Sequence, residues 1–111
     1  LHGALWGADP PGTQIGSYVL HYASGESRER PIVLGNDVLD WWKQSYNATN
    51  AAGLTVAWQG ANAKSQREGK TIRLYKNVWE NPLPHVEIQT LDYVSTMTEC
   101  APFLIAITVE P

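Results

Sequence analysis

Ile15-Gly-Ser-Tyr-Val-Leu-His-Tyr-Ala-Ser-Gly-Glu-Ser-Arg-Glu-Arg-Pro-Ile-Val-Leu34 reads as two strands joined by a tight turn. Aromatic and branched side chains dominate Ile15–Ala23 and suit a pleated, half-buried surface. Ser24-Gly-Glu-Ser27 supplies the turn chemistry, and Arg28–Leu34 returns as the second strand of a hairpin. Strand side chains alternate, so Val19 and His21 share one face while Tyr18, Leu20 and Tyr22 share the other.

The same alternation of strand and breaker continues on both sides of the hairpin. Leu1–Trp6 reads as a strand and ends at Gly7-Ala-Asp-Pro-Pro-Gly12, whose prolines cannot donate to a ladder. Leu54–Trp58, Thr71–Trp79, Val86–Ser95 and Phe103–Val109 are further strands. Polar loops over Lys43–Gly53 and Gly60–Gly69, and the breaker Asn81-Pro-Leu-Pro84, separate them. Asn36 is placed to cap a short helical turn ending at Trp41-Trp42. Trp58 shares a face with Val56 and Leu54, which predicts a core position. Phe103–Val109 is apolar on both faces, as a central strand would be. Seven or eight short strands with this punctuation predict one all-β domain over residues 1–111. The expected architecture is a compact jelly-roll or cupin-like β-sandwich.

Composition narrows the function. Apolar residues make up 43% of the 111, yet no run approaches the ~20 needed to cross a bilayer, so no membrane partner is expected. The net charge is −3, and the basic residues are scattered rather than aligned in a track for phosphates. Nucleic acid is therefore a poor partner. A single cysteine, Cys100, excludes an intrachain disulfide and reads as a buried thiol. No Gly-x-Ser-x-Gly nucleophile setting and no glycine-rich phosphate loop is present.

Two groups of residues remain as candidates. His2, His21 and His85 all lie in or beside predicted strands, and a sandwich can gather such positions; imidazoles ligate copper, zinc or iron. Glu87 shares the face of His85 but reads as a solvated carboxylate. The second group is aromatic. Five Trp and five Tyr against one Phe favour wet binding surfaces as well as cores. Trp41 and Trp42 cannot both point inward in an extended chain, so one becomes an exposed platform for a sugar ring, with Tyr46 on the adjoining loop. Asn47-Ala-Thr49 fits a glycosylation sequon.

Leu1-His-Gly-Ala-Leu-Trp6, Tyr18-Val-Leu-His-Tyr22, Asp40-Trp-Trp42, Arg73-Leu-Tyr-Lys-Asn-Val-Trp-Glu-Asn-Pro82 and Pro102-Phe-Leu-Ile-Ala-Ile107 together resemble a group of bacterial jelly-roll domains from environmental sequences. Small copper enzymes that oxidise cellulose chain ends at C1, releasing cellobionic acid, belong to that group. The resemblance implies a secreted, copper-dependent oxidoreductase with oxygen or hydrogen peroxide as co-substrate and cellulose or a related β-glucan as partner. His2, His21 and His85 would then be catalytic copper ligands, and Trp41, Trp42 and Tyr46 would bind substrate. Two departures stand out: the His-x-His pair of metal-binding cupins is missing, and histidine is second rather than first. A homodimer is left open. The alternative of a different class is a carbohydrate-binding module without catalysis, on the same fold and the same aromatic residues.

Overall fold

The computed structural model describes residues 1–5, 9–42 and 54–110. The hairpin forms as its sequence dictates. Strands β2 (Gln14–Tyr22) and β3 (Ser27–Val33) pair antiparallel, with Tyr18 opposite Arg30 and Leu20 opposite Arg28. The turn between them uses Gly25 at φ +89°, a left-handed conformation that glycine adopts without penalty. The other edge of β2 takes β6 (Ile88–Ser95), which brings Tyr93 opposite Tyr18 and Leu91 opposite Leu20. These three strands make one sheet in the order β3-β2-β6. Tyr18, Leu20 and Tyr22 are buried, while Val19 and His21 on the opposite face are only half-buried.

A four-stranded antiparallel sheet packs against it. Its strands are β4 (Thr55–Gly60), β5 (Ile72–Lys76), β1 (His2–Leu5) and β7 (Ala101–Leu104), in that spatial order. The pairing of β1 with β5 is at His2 and Tyr75. Beside it the segment Leu39–Trp41 is wedged in: Ala4 N–H donates to Leu39 O at 3.3 Å, Trp41 N–H to Ala4 O at 2.9 Å, and Arg73 N–H to Trp41 O at 2.9 Å. The core between the sheets is built from Ala4, Ile15, Tyr18, Ile32, Leu34, Val38, Leu39 and Tyr75. Each buried aliphatic side chain there contributes about 1.5–3 kcal/mol by leaving water.

Three expected elements differ. Asn36 caps no helix; residues 35–37 are a turn, and Asp37 organises it, because its carboxylate accepts from Val33 N–H at 2.8 Å. The polar stretch after Gly60 contains a short helix, α1 (Ala63–Arg67). Asn62 and Ser65 form a reciprocal capping box there, with each backbone N–H donating to the other's side chain. Of the strand expected over Phe103–Val109, only Phe103 and Leu104 are in one, and that strand, β7, starts at Ala101 and lies at the sheet edge rather than its centre. Pairing with β1 runs from Leu5–Ala101 to His2–Leu104, and beyond it Ile105 N–H and Ala106 N–H both donate to Leu1 O. Ile105, Ile107 and Val109 are accordingly exposed.

A segment running from Asn77 to Asn81 straps the inner face of the three-stranded sheet. Trp79 lies 5.7 Å from the Tyr18 ring, Tyr22 hydroxyl donates to Asn81 Oδ1, and Asn77 Nδ2 donates to Asp37 Oδ1 at 2.8 Å. Gly16 sets how closely β2 and β6 approach: a Cβ there would stand 2.6 Å from the Val94 carbonyl oxygen. Backbone cannot swing aside as a side chain tip can. Gly16→Ala is therefore expected to destabilise the fold by about 1–3 kcal/mol, the usual range for overpacking. Urea unfolding read by tryptophan fluorescence measures it, and an unchanged midpoint would show that the strands move apart freely.

Candidate functional site

The site begins with a break in alternation. Val56 on β4 faces Tyr75, but Trp58 faces Leu74, so two steps along β4 match one along β5. This β-bulge at Ala57 inserts one extra residue and reverses the face of the residues beyond it. Val56 stays packed against the core, whereas Trp58 joins Leu74 on the outer face, 48% exposed. The core position predicted for Trp58 is thus corrected, and the reason is the bulge. The indole lies over Gly60, where a Cβ would meet its Cη2 and Cζ2 at 2.6 Å.

Trp41 and Trp42 arrive on the same sheet through the wedged segment. Their rings are 5.8 Å apart at 43°, and Trp41 meets Phe103 edge-on at 5.6 Å and 81°. Phe103 alternates with core-packed Leu104 and pairs with Gly3, so it faces away from the core. Lys70 Nζ stands 5.6 Å from the Trp42 ring centroid. Both Trp41 and Trp42 are half-buried. Across the outer face of the four-stranded sheet the order is therefore Trp58 on β4, the Trp41–Trp42 pair, then Phe103 on β7. Tyr46 and the Asn47-Ala-Thr49 sequon lie outside the described residues.

The histidines fall in three different settings. His2 on β1 is 1% exposed, with Nε2 2.7 Å from the Asp37 carbonyl oxygen and Nδ1 3.0 Å from the Tyr18 hydroxyl. A carbonyl only accepts, so Nε2 carries the proton and donates, and Nδ1 accepts from Tyr18. Burial pushes the Tyr18 phenol up to about 12, helped by the Asp37 charge, so it remains a donor at neutral pH. The neighbouring Tyr93 ring is 5.1 Å from Tyr18, and its buried hydroxyl has no hydrogen-bond partner among the described residues. His21 stands on the outer face of the three-stranded sheet, paired with Asp92 Oδ2 at 2.8 Å. His85 is exposed in the turn before β6, and so is Glu87.

His2 reaches Tyr18 on the inner face of β2, whereas His21 projects from the outer face, so the sheet itself separates them. The three imidazoles do not converge. Among the described residues no group of three or more His, Cys, Asp or Glu side chains could hold a metal ion. The shared three-nitrogen copper centre expected from His2, His21 and His85 does not fit this arrangement. The signal lay in the hairpin: three bulky side chains, Tyr18, Leu20 and Tyr22, claim the inner face of β2 and leave His21 outside. Cys100 is buried, its thiol pushed up by that burial, and its N–H donates to Asp9 Oδ2 at 2.8 Å.

Burial is the largest influence on His2 and holds it below the ordinary 6.5; the hydrogen bond to Asp37 opposes this in part. The unfolded chain therefore takes up a proton that folded His2 refuses. Stability from this site is complete above about 6.5 and declines as pH falls below it. The melting temperature is expected to drop between pH 7.5 and pH 5, with a shallower drop in His2→Gln. Equal slopes in the two proteins would remove His2 as the cause. Comparison with known proteins finds no matching family model, no similar curated protein and no similar solved structure.

Proposed function

We propose that this domain binds cellulose or a related β-glucan on the outer face of its four-stranded sheet, as a carbohydrate-binding module. The observation that carries the reading is the β4 bulge, which turns Trp58 out of the core and onto the face that holds Trp41 and Trp42. Equatorial hydroxyls leave the flat faces of a β-linked glucose ring lined with C–H bonds. Those faces suit the electron-rich face of an indole, while the sugar's rim stays hydrated. A row of aromatics on one sheet face fits an extended polymer better than a small solute. An extracellular location belongs with this reading, since the ligand is an insoluble polymer.

The jelly-roll connectivity is part of the same proposal. Its support is the nested pairing, first strand with last and second strand with penultimate. Copper-dependent oxidation of cellulose, which the sequence resemblance implies, shares the polymer but needs a metal centre. The described histidines do not build one together. Elemental analysis after copper loading and desalting is expected to find no near-stoichiometric copper dependent on His2 or His21. Retained copper lost in His21→Ala would reinstate the oxidative reading.

Trp58 is half-exposed, so Trp58→Ala tests the face without emptying the core. Retention on insoluble cellulose is expected to fall about tenfold, equivalent to ~1.4 kcal/mol. Gly60→Ala is expected to weaken retention as well, because its Cβ takes the space under the indole. Unchanged retention in both variants would sink the proposal and favour a domain that buries a protein partner instead.

A further inference from the structure

On the inner side of the three-stranded sheet, a cleft of about 400 Å³ opens between the edge strand β3 and the strap. That volume lies within the range of small-molecule sites, about 300–1,000 Å³. Leu20 and Pro82 supply apolar wall, Trp79 an indole, Arg28 and Arg30 hydrogen-bond donors, and Glu80 an acceptor. The cleft is separate from the Trp58 face, which belongs to the other sheet. The strap is held by Asn77 on Asp37 and by Tyr22 on Asn81, and Trp79 packs on Tyr18, so the indole is fixed in place before any ligand arrives.

The electrostatics decide the ligand class. Each arginine already has a carboxylate partner: Arg28 Nη2 is 3.0 Å from Glu26 Oε2, and Arg30 Nη2 is 3.4 Å from Asp37 Oδ1. Glu29, which also lines the cleft, accepts from Gln14 Nε2 at 3.3 Å and adds a second carboxylate beside Glu80. With both cations matched, an anion gains no net attraction here. A guanidinium has five N–H donors and an ion pair occupies few of them, so donors remain for neutral acceptors. Donors from β3, with an acceptor and an indole from the strap, offer the groups that the hydroxyls and C–H face of a pyranose can use.

We propose that this cleft is a second saccharide site, which takes one or two sugar rings of a neutral glucan. The inference extends the glycan reading above, and its two sites are separable because they use different residues. Titration with soluble cellotetraose, followed by tryptophan fluorescence or calorimetry, is run beside retention on insoluble cellulose. Arg28 and Glu80 are both exposed, so Arg28→Ala and Glu80→Ala leave the core intact. Each is expected to weaken cellotetraose at least tenfold and to leave cellulose retention unchanged, whereas Trp58→Ala does the reverse. Absent cellotetraose binding in the wild type, or binding indifferent to both variants, would overturn the cleft. Preference for tetragalacturonate over cellotetraose would overturn the neutral class. Wild-type protein that binds cellotetraose but is not retained on insoluble cellulose would instead sink the flat face alone.

Discussion

Asp37 is the point at which the two sheets and the strap are tied together. Its carboxylate accepts from Val33 N–H, Arg30 and Asn77, and its carbonyl accepts from His2. One residue in a tight turn thereby joins β3, the strap and β1. An acid that is only 8% exposed must have its acceptor capacity filled, because an unpaired buried charge is costly. Here every partner is a donor. The result is a polar knot beside an otherwise apolar core, and its geometry decides where His2, Tyr18 and Trp79 stand.

The surface features that carry the functional proposals both follow from small departures from regularity. A bulge of one residue in β4 moves Trp58 from the core side to the outer side, and Gly60 leaves room for the indole to lie flat. The divergence of β1 from β5 admits the wedged segment, which delivers Trp41 and Trp42 to the same sheet. Trp58 stands on a paired strand, whereas Trp41 and Trp42 stand on a bend held to Ala4 and Arg73 by backbone hydrogen bonds.

Much of the architecture was legible in the sequence, because the hairpin, the proline breakers and the alternating strands are local signals. Strands β2 and β3 fall within a residue or so of the expected spans. Trp58 was not legible: strict period-2 reading places it with Val56, and nothing in Leu54-Thr-Val-Ala-Trp58 announces a bulge. The helix at Ala63 carried a readable sign, the Asn62 and Ser65 capping pair, inside a stretch whose polarity suggested a loop. Which residues would share a site was the hardest part, since it depends on the faces of two different sheets. His2 and His21 look alike in sequence, yet one is sealed in the core and the other meets solvent.

The edge strand β3 also has a bearing on how the molecule behaves among its neighbours. An unpaired sheet edge invites strands from other chains, and Ser27-Arg-Glu-Arg-Pro31 resists that in two ways. Docking a foreign strand would strip water from three consecutive charges, and Pro31 would leave a gap in the ladder where an amide proton is needed. The arginines that line the cleft therefore also stand guard over it, keeping this margin free of protein backbone and open to smaller visitors.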